Sequence, residues 1–134
     1  MRFEGIYTPI ITPLDEKERV DGAGLSKQIN RLIEHGIHGI YLLGSSGEFV
    51  SLSDADRRFA IETTVATVSG RVPIICGAMD ASTSRVITNI EAAQELGVTA
   101  VATTPPYYYP SSDPELKSFY PRVPKPRFWH HGRL

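Results

Sequence analysis

Four short apolar runs recur along the chain at a nearly constant interval, and that spacing limits the fold more than any other feature. The runs are Ile6–Ile11, Gly39–Leu43, Val72–Cys76 and Ala100–Thr103, so their starts lie 33, 33 and 28 residues apart. A period of about 30 residues is the size of one strand, one crossover helix and the turns joining them. The last three runs are apolar at consecutive rather than alternating positions, the pattern of parallel strands covered on both faces.

The segments between the runs carry helical periodicity. Asp21 is placed to cap a first helix whose Leu25, Ile29, Leu32 and Ile33 form one stripe, and Gly36 ends it. A second helix opens at Ser53-Asp54-Ala55-Asp56, turns Phe59, Val65 and Val68 inward, and stops at Gly70. Ser82 or Ser84 starts a third, with Val86, Ile90 and Ala93 inward and Gly97 as its stop. Parallel strands joined by right-handed crossovers leave two architectures, an open doubly wound sheet or a closed barrel. A fourth helix begins near Asp113, but Pro121, Pro124 and Pro126 follow closely, and a proline inside a helix costs about 3 kcal/mol. That helix is predicted to end by Tyr120, and no apolar run follows to form a fifth strand.

A chain of 134 residues with 41% apolar and 22% charged side chains is long enough for one ordinary core. Its net charge of -1 argues against nucleic acid as a partner. The charge is unevenly spread, since Phe119–Leu134 holds four bases and no acid, leaving fifteen acids against ten bases before it. Cys76 is the lone cysteine and reads as a small buried residue. With no apolar span of membrane length and no leader pattern, a soluble cytoplasmic chain without membrane contact is expected.

Two motifs carry chemistry. Gly44-Ser45-Ser46-Gly47-Glu48 follows the second strand directly. Its glycines permit a tight turn and its hydroxyls add donors, which suits either a carboxylate or phosphate site or a plain polar turn. It has neither the glycine spacing of a dinucleotide fingerprint nor the lysine of a P-loop. Pro105-Pro106-Tyr107-Tyr108-Tyr109-Pro110 follows the fourth strand, where parallel folds gather ligands. Its tyrosines suit packing, proton relay or oxyanion binding.

Other polar groups read as solvated surface. These are Asp54, Asp56, Arg57 and Arg58 at a helix start, His35 and His38 around Gly36, and the His130-His131 pair. No metal cluster is expected. The four lysines, Lys17, Lys27, Lys117 and Lys125, lie in a charged turn, on two helices and in the tail. None has the desolvated strand-end setting that frees an amine for Schiff-base chemistry.

Three segments, Gly5-Ile6-Tyr7-Thr8-Pro9-Ile10-Ile11-Thr12-Pro13-Leu14, Gly44–Glu48 and Thr104–Pro110, in this order and spacing resemble the dihydrodipicolinate synthase / N-acetylneuraminate lyase family. The resemblance covers about residues 1–120. It implies a (β/α)8 barrel of roughly twice this length, assembled as a tetramer of tight dimers, of which this chain is the N-terminal half. It further implies a lyase that holds pyruvate or another 2-oxo acid as a Schiff base on a lysine in a later strand. That lyase makes or breaks a carbon–carbon bond or eliminates water, with no cofactor.

By position, Ser45 and Ser46, followed by Gly47, match the hydroxyl pair that holds the oxo-acid carboxylate, and Ser45 also joins a proton relay. Tyr108 matches the relay tyrosine that reaches a neighbouring subunit's site, with Tyr107 or Tyr109 as its packing neighbour. Thr8 and Thr12 lie nearby without an assigned role. The family's later Tyr-Asn-x-Pro segment and its lysine have no counterpart here, so the chain alone is expected to be inactive. A non-catalytic half-barrel, binding an oxo acid or pairing with a complementary chain, is the alternative. Residues 1–120 are therefore expected to form a partial barrel of four strands and three to four helices. Residues 121–134 form a basic, Pro-rich tail outside the family pattern. That tail reads as disordered or frameshifted, or as the natural end of a short protein.

Overall fold

A computed structural model describes residues 3–124. The elements run β1 (Tyr7–Pro9), α1 (Gly22–Glu34), β2 (Gly39–Leu42), α2 (Asp54–Val68), β3 (Ile74–Gly77), α3 (Thr83–Glu95), β4 (Ala100–Ala102) and α4 (Asp113–Arg122). The four strands form one parallel sheet in the order β1-β2-β3-β4. A doubly wound sheet has to reverse its strand order to place helices on both faces. Sequential order with right-handed crossovers instead keeps every helix on one face, the arrangement of a barrel wall. Of the two architectures open to the sequence, the chain adopts an arc of a (β/α) barrel.

Local chemistry sets the helix ends. The Asp21 carboxylate accepts from the Ala23 and Gly24 amides at 3.0 Å each, satisfying donors that the first turn of α1 leaves open. Ser53 and Ser82 accept from the Asp56 and Arg85 amides to begin α2 and α3. Gly36, Gly70 and Gly97 have φ of +80°, +74° and +88°, the left-handed turn that returns the chain to the sheet. In α4 the Glu115 carboxylate accepts from both the amide and the hydroxyl of Ser112 at 2.7 Å.

Helix α4 runs to Arg122, two residues past the expected stop at Tyr120, with Pro121 inside it. A proline so close to a helix end forfeits one hydrogen bond, to the Lys117 carbonyl, and the helix stops within two residues. Residues 125–134, which hold most of the predicted tail and the His130-His131 pair, lie outside the described residues.

The register explains the core. Ile40 pairs with Ile74 and Leu42 with Cys76, and this face packs against Leu25 and Ile29 of α1, Ala60, Ile61 and Val68 of α2, and Ala93 of α3. Each fully buried Leu or Ile contributes about 2–3 kcal/mol. A second, smaller cluster of Ala78, Val86, Ile90 and Phe119 seats α4 against α3.

The opposite face carries Pro9, Tyr41, Ile75 and Ala100 in one row, and none of these four is fully buried. The last three strands were expected to be covered on both faces, but here only one face is covered, because four strands do not close on themselves. A second correction concerns α2. Phe59 is 45% exposed, and the buried stripe is Arg57, Ala60, Ile61, Thr64 and Val68. A charged and a hydroxyl side chain on the inward stripe displaced the apolar pattern by which the face was assigned.

Gly77 ends β3 where the backbone passes closest to the second loop. A Cβ there would collide with the Leu43 carbonyl oxygen, a backbone atom that cannot swing aside. Gly77→Ala is expected to destabilise the fold by about 2–3 kcal/mol, measured by urea denaturation.

Candidate active site at the carboxyl ends of the strands

The ends of β1, β2, β3 and β4 open onto one rim. At the end of β2, Leu43 is buried with φ 54°, and the chain then makes one 3-10 turn over Ser45–Gly47 and a second over Phe49–Ser51. The Thr12 hydroxyl, three residues beyond β1, donates to the Gly47 carbonyl at 2.8 Å. A Cβ at Gly47 would stand 3.2 Å from that hydroxyl and from the Ile10 carbonyl. The first segment thus braces the second loop, and only glycine fits without displacing it. Thr12, which had no role in the sequence, is the brace.

Both Ser45 and Ser46 are exposed, and neither hydroxyl has a hydrogen-bond partner among the described residues. Gly47 is buried beneath them.

The tyrosines divide. Tyr107 turns inward and meets the Phe49 ring edge to face, 5.8 Å between centroids, which ties the fourth loop to the second. Tyr108 is 82% exposed and packs its ring edge-on against Tyr109 at 4.9 Å. Its φ is 86°, a conformation that costs a bulky residue about 1–3 kcal/mol and gathers at functional sites. Within this chain Tyr107, through Phe49, joins the serine loop, while Tyr108 is exposed and makes no hydrogen bond to Ser45.

A charged network underlies the rim, and one of its members, Arg57, was expected on a solvated helix face. Arg57 is 7% exposed, not part of a solvated helix face. Its Nη2 donates to the Phe49 carbonyl at 3.0 Å, and the guanidinium also reaches the Met79 carbonyl at 3.4 Å. Asp80 lies 3.9 Å from Arg57 and takes hydrogen bonds from Arg85 and Asn89. Arg85 in turn holds Asp54 at 2.7 Å. The signal for Arg57 was its spacing, three, four and seven residues before Ala60, Ile61 and Thr64, but residue type hid it.

Burial opposes the charge of Asp80, yet the Ala81 amide, Arg85 and Asn89 outweigh it and hold the carboxyl below its ordinary range. Burial pushes the Cys76 thiol up to about 12, with Arg57 opposing, so Cys76 is an inert core residue as expected. Burial also raises the Tyr41 phenol, and its hydroxyl rests 4.0 Å from the Met79 sulfur. Among the described residues no group of three His, Cys, Asp or Glu is placed to hold a metal ion, and no helix is long and apolar enough to cross a membrane.

A carboxyl whose pKa is depressed by folding adds stability above its unfolded value and loses it as pH falls through the folded value. The penalty of Asp80→Asn is therefore expected to be largest near pH 7 and to shrink below about pH 4. Denaturation midpoints across pH check this, and a penalty that stays constant from pH 7 to pH 3 contradicts it.

Comparison with known proteins agrees with this geometry. A family model described as the dihydrodipicolinate synthetase family matches residues 2–126. The 4-hydroxy-tetrahydrodipicolinate synthase of Methanocaldococcus jannaschii is 39% identical over 121 residues, which are 90% of this chain and 42% of the relative. The corresponding enzyme of Methanopyrus kandleri is 36% identical over 108 residues, 80% of this chain and 36% of that protein. Among solved structures, a dihydrodipicolinate synthase superposes with a TM-score of 0.85 at 39% identity, covering 90% of this chain and 42% of that one. YagE of E. coli K12, solved in complex with pyruvate, superposes with a TM-score of 0.86 at 29% identity, covering 90% and 41%. The chain spans about two fifths of the length of these relatives, and its arc of four strands is the N-terminal half of their barrel. Sequence and fold together make this chain a member of the dihydrodipicolinate synthetase family.

Proposed function

We propose that this chain carries the carboxylate cradle and relay tyrosine of a lyase that acts on pyruvate or a related 2-oxo acid through a Schiff base. The observation that carries the proposal is the unpartnered hydroxyl pair of Ser45 and Ser46, held at the mouth of β2 by the bond from Thr12 to the Gly47 carbonyl. Two adjacent hydroxyls on a braced turn match a planar carboxylate. The pyruvate complex of YagE, a structural neighbour, supports the substrate class.

In such a reaction an amine adds to the C2 carbonyl, water leaves, and the resulting iminium loses a proton from C3 to become a nucleophilic enamine. The cradle fixes the carboxylate so that C2 faces the amine, which is positioning rather than bond-making. Tyr108 passes protons to the departing hydroxyl. Its exposed ring and positive φ support a reach beyond its own rim into a neighbouring subunit, and thus a homo-oligomer for the full-length protein.

The amine is not among the described lysines. Lys17, Lys27 and Lys117 are exposed, on a turn and on two helices away from the strand ends, and Lys125 lies outside the described residues. On this reading the described residues bind and position the oxo acid and do not supply the amine, within a family of carbon–carbon and carbon–oxygen lyases. A non-catalytic half-barrel completed by a complementary chain is a second reading. The uncovered row Pro9, Tyr41, Ile75 and Ala100 and the open edges of β1 and β4 favour it.

Two experiments separate the parts. Borohydride reduction in the presence of pyruvate is expected to leave the mass of the chain unchanged, and an adduct contradicts the assignment of the amine. Calorimetry with pyruvate is expected to detect binding that falls at least tenfold in the Ser45→Ala/Ser46→Ala variant, since hydrogen bonds to a charged group are worth about 1.5–3 kcal/mol each. Equal affinity in the variant contradicts the cradle.

A further inference from the structure

We propose that Arg57 is a positioning residue for the whole rim, a single buried cation that sets the serine loop, the loop after β3 and the tyrosine loop relative to one another. Its stem comes from the first turns of α2, where its own amide donates to the Ser53 carbonyl at 2.9 Å. That fixes the origin of the side chain on a rigid element. From there its Nη2 meets the Phe49 carbonyl, directly after the Ser45–Glu48 turn, and its guanidinium meets the Met79 carbonyl, two residues past β3. The same guanidinium lies 5.5 Å from the centre of the Phe49 ring, and that ring is the one Tyr107 packs against. Two rim loops therefore meet at one side chain, and the third joins them through the Phe49 ring.

The alternative is that Arg57 serves only general stability. A buried charge is a weak stabiliser, because desolvation offsets most of what its partners return. An apolar residue at this point of the buried stripe would fill the same space without that cost. What an apolar residue lacks is a planar fork able to hold two backbone carbonyls from different loops at once. Those carbonyls are otherwise poorly provided for, since the chain turns away from the sheet at both places. Asp80 at 3.9 Å balances the charge, and Asp80 is itself anchored by Arg85 and Asn89 on α3. The clamp is thus fastened to α2 on one side and to α3 on the other. No atom of Arg57 touches the proposed oxo-acid site, so its effect there is exerted through Phe49 and Tyr107.

The consequence for ligand binding rests on the reading of Ser45 and Ser46 given above; the structural role does not. Hydrogen exchange on the folded chain, with and without pyruvate, tests both. Three rim amides report on the loops: Glu48, bonded to the Ser45 carbonyl, Ser51, bonded to the Glu48 carbonyl, and Ala78, bonded to the Ala102 carbonyl. Ile29 in α1 reports on the body. In Arg57→Met the rim amides are expected to exchange at least tenfold faster than in the unsubstituted chain, with Ile29 unchanged, and pyruvate affinity is expected to drop at least fivefold. Arg57→Lys keeps the cation and loses the fork; it is expected to loosen the same amides by less, and it stands in if the methionine variant does not fold. Exchange that rises equally at Ile29, or not at all, in the variant that folds overturns the positioning role. Faster rim exchange in a chain that pyruvate never protects leaves the clamp standing and removes the oxo-acid reading instead.

Discussion

Four parallel strands in sequential order must place all their crossover helices on the same side of the sheet, and most of what distinguishes this chain follows from that. One face buries Ile40, Leu42, Ile74 and Cys76 under α1, α2 and α3. The other holds Tyr41 and Ile75 half in water, and β1 and β4 each have one unpaired edge. A closed barrel has neither an uncovered face nor an edge. The stability of this arc therefore comes from helix-on-sheet burial, and its rim is supported from the helix side and from neighbouring loops.

That support is specific. Thr12 holds the Gly47 carbonyl from the β1 side, and Arg57 holds the Phe49 carbonyl from the α2 side, so the C-terminal end of the serine turn is pinned from two sides. Among the described residues, three of the five non-glycine residues with positive φ, Leu43, Glu48 and Tyr108, lie on this rim, which places the local strain where ligands of parallel folds bind. The backbone departs from low-energy geometry there because neighbouring contacts over-determine it. The serine hydroxyls, held by none of those contacts, stay available.

Much of this was legible in the residues. The strand spacing, the caps at Asp21 and Ser53, and the stops at Gly36, Gly70 and Gly97 depend on local chemistry; the strands begin within two residues of the pattern, and Ser82 is the one of two candidate serines that caps α3. The three motifs pointed to the family through the identity, order and spacing of their residues. Long-range pairing was not legible. The bond from Thr12 to Gly47 spans 35 residues, and the contacts of Arg57 to Phe49 and Met79 arise only once α2 has docked. Reading burial from hydrophobicity alone sent Phe59 inward and Arg57 outward, the reverse of the structure. The uncovered sheet face also escaped, because a run of consecutive apolar residues reports what a strand is built to bury and not what covers it.

The central claim is that the serine turn is a pre-formed carboxylate site. A residue-resolved NMR titration of the folded chain with pyruvate tests it most directly. The largest amide shifts are expected at Gly44 to Glu48 and at Thr12, with the α1 amides still. Shifts centred elsewhere, in the cleft between α2 and α3 or on the open face around Tyr41, or none at millimolar pyruvate, would contradict it.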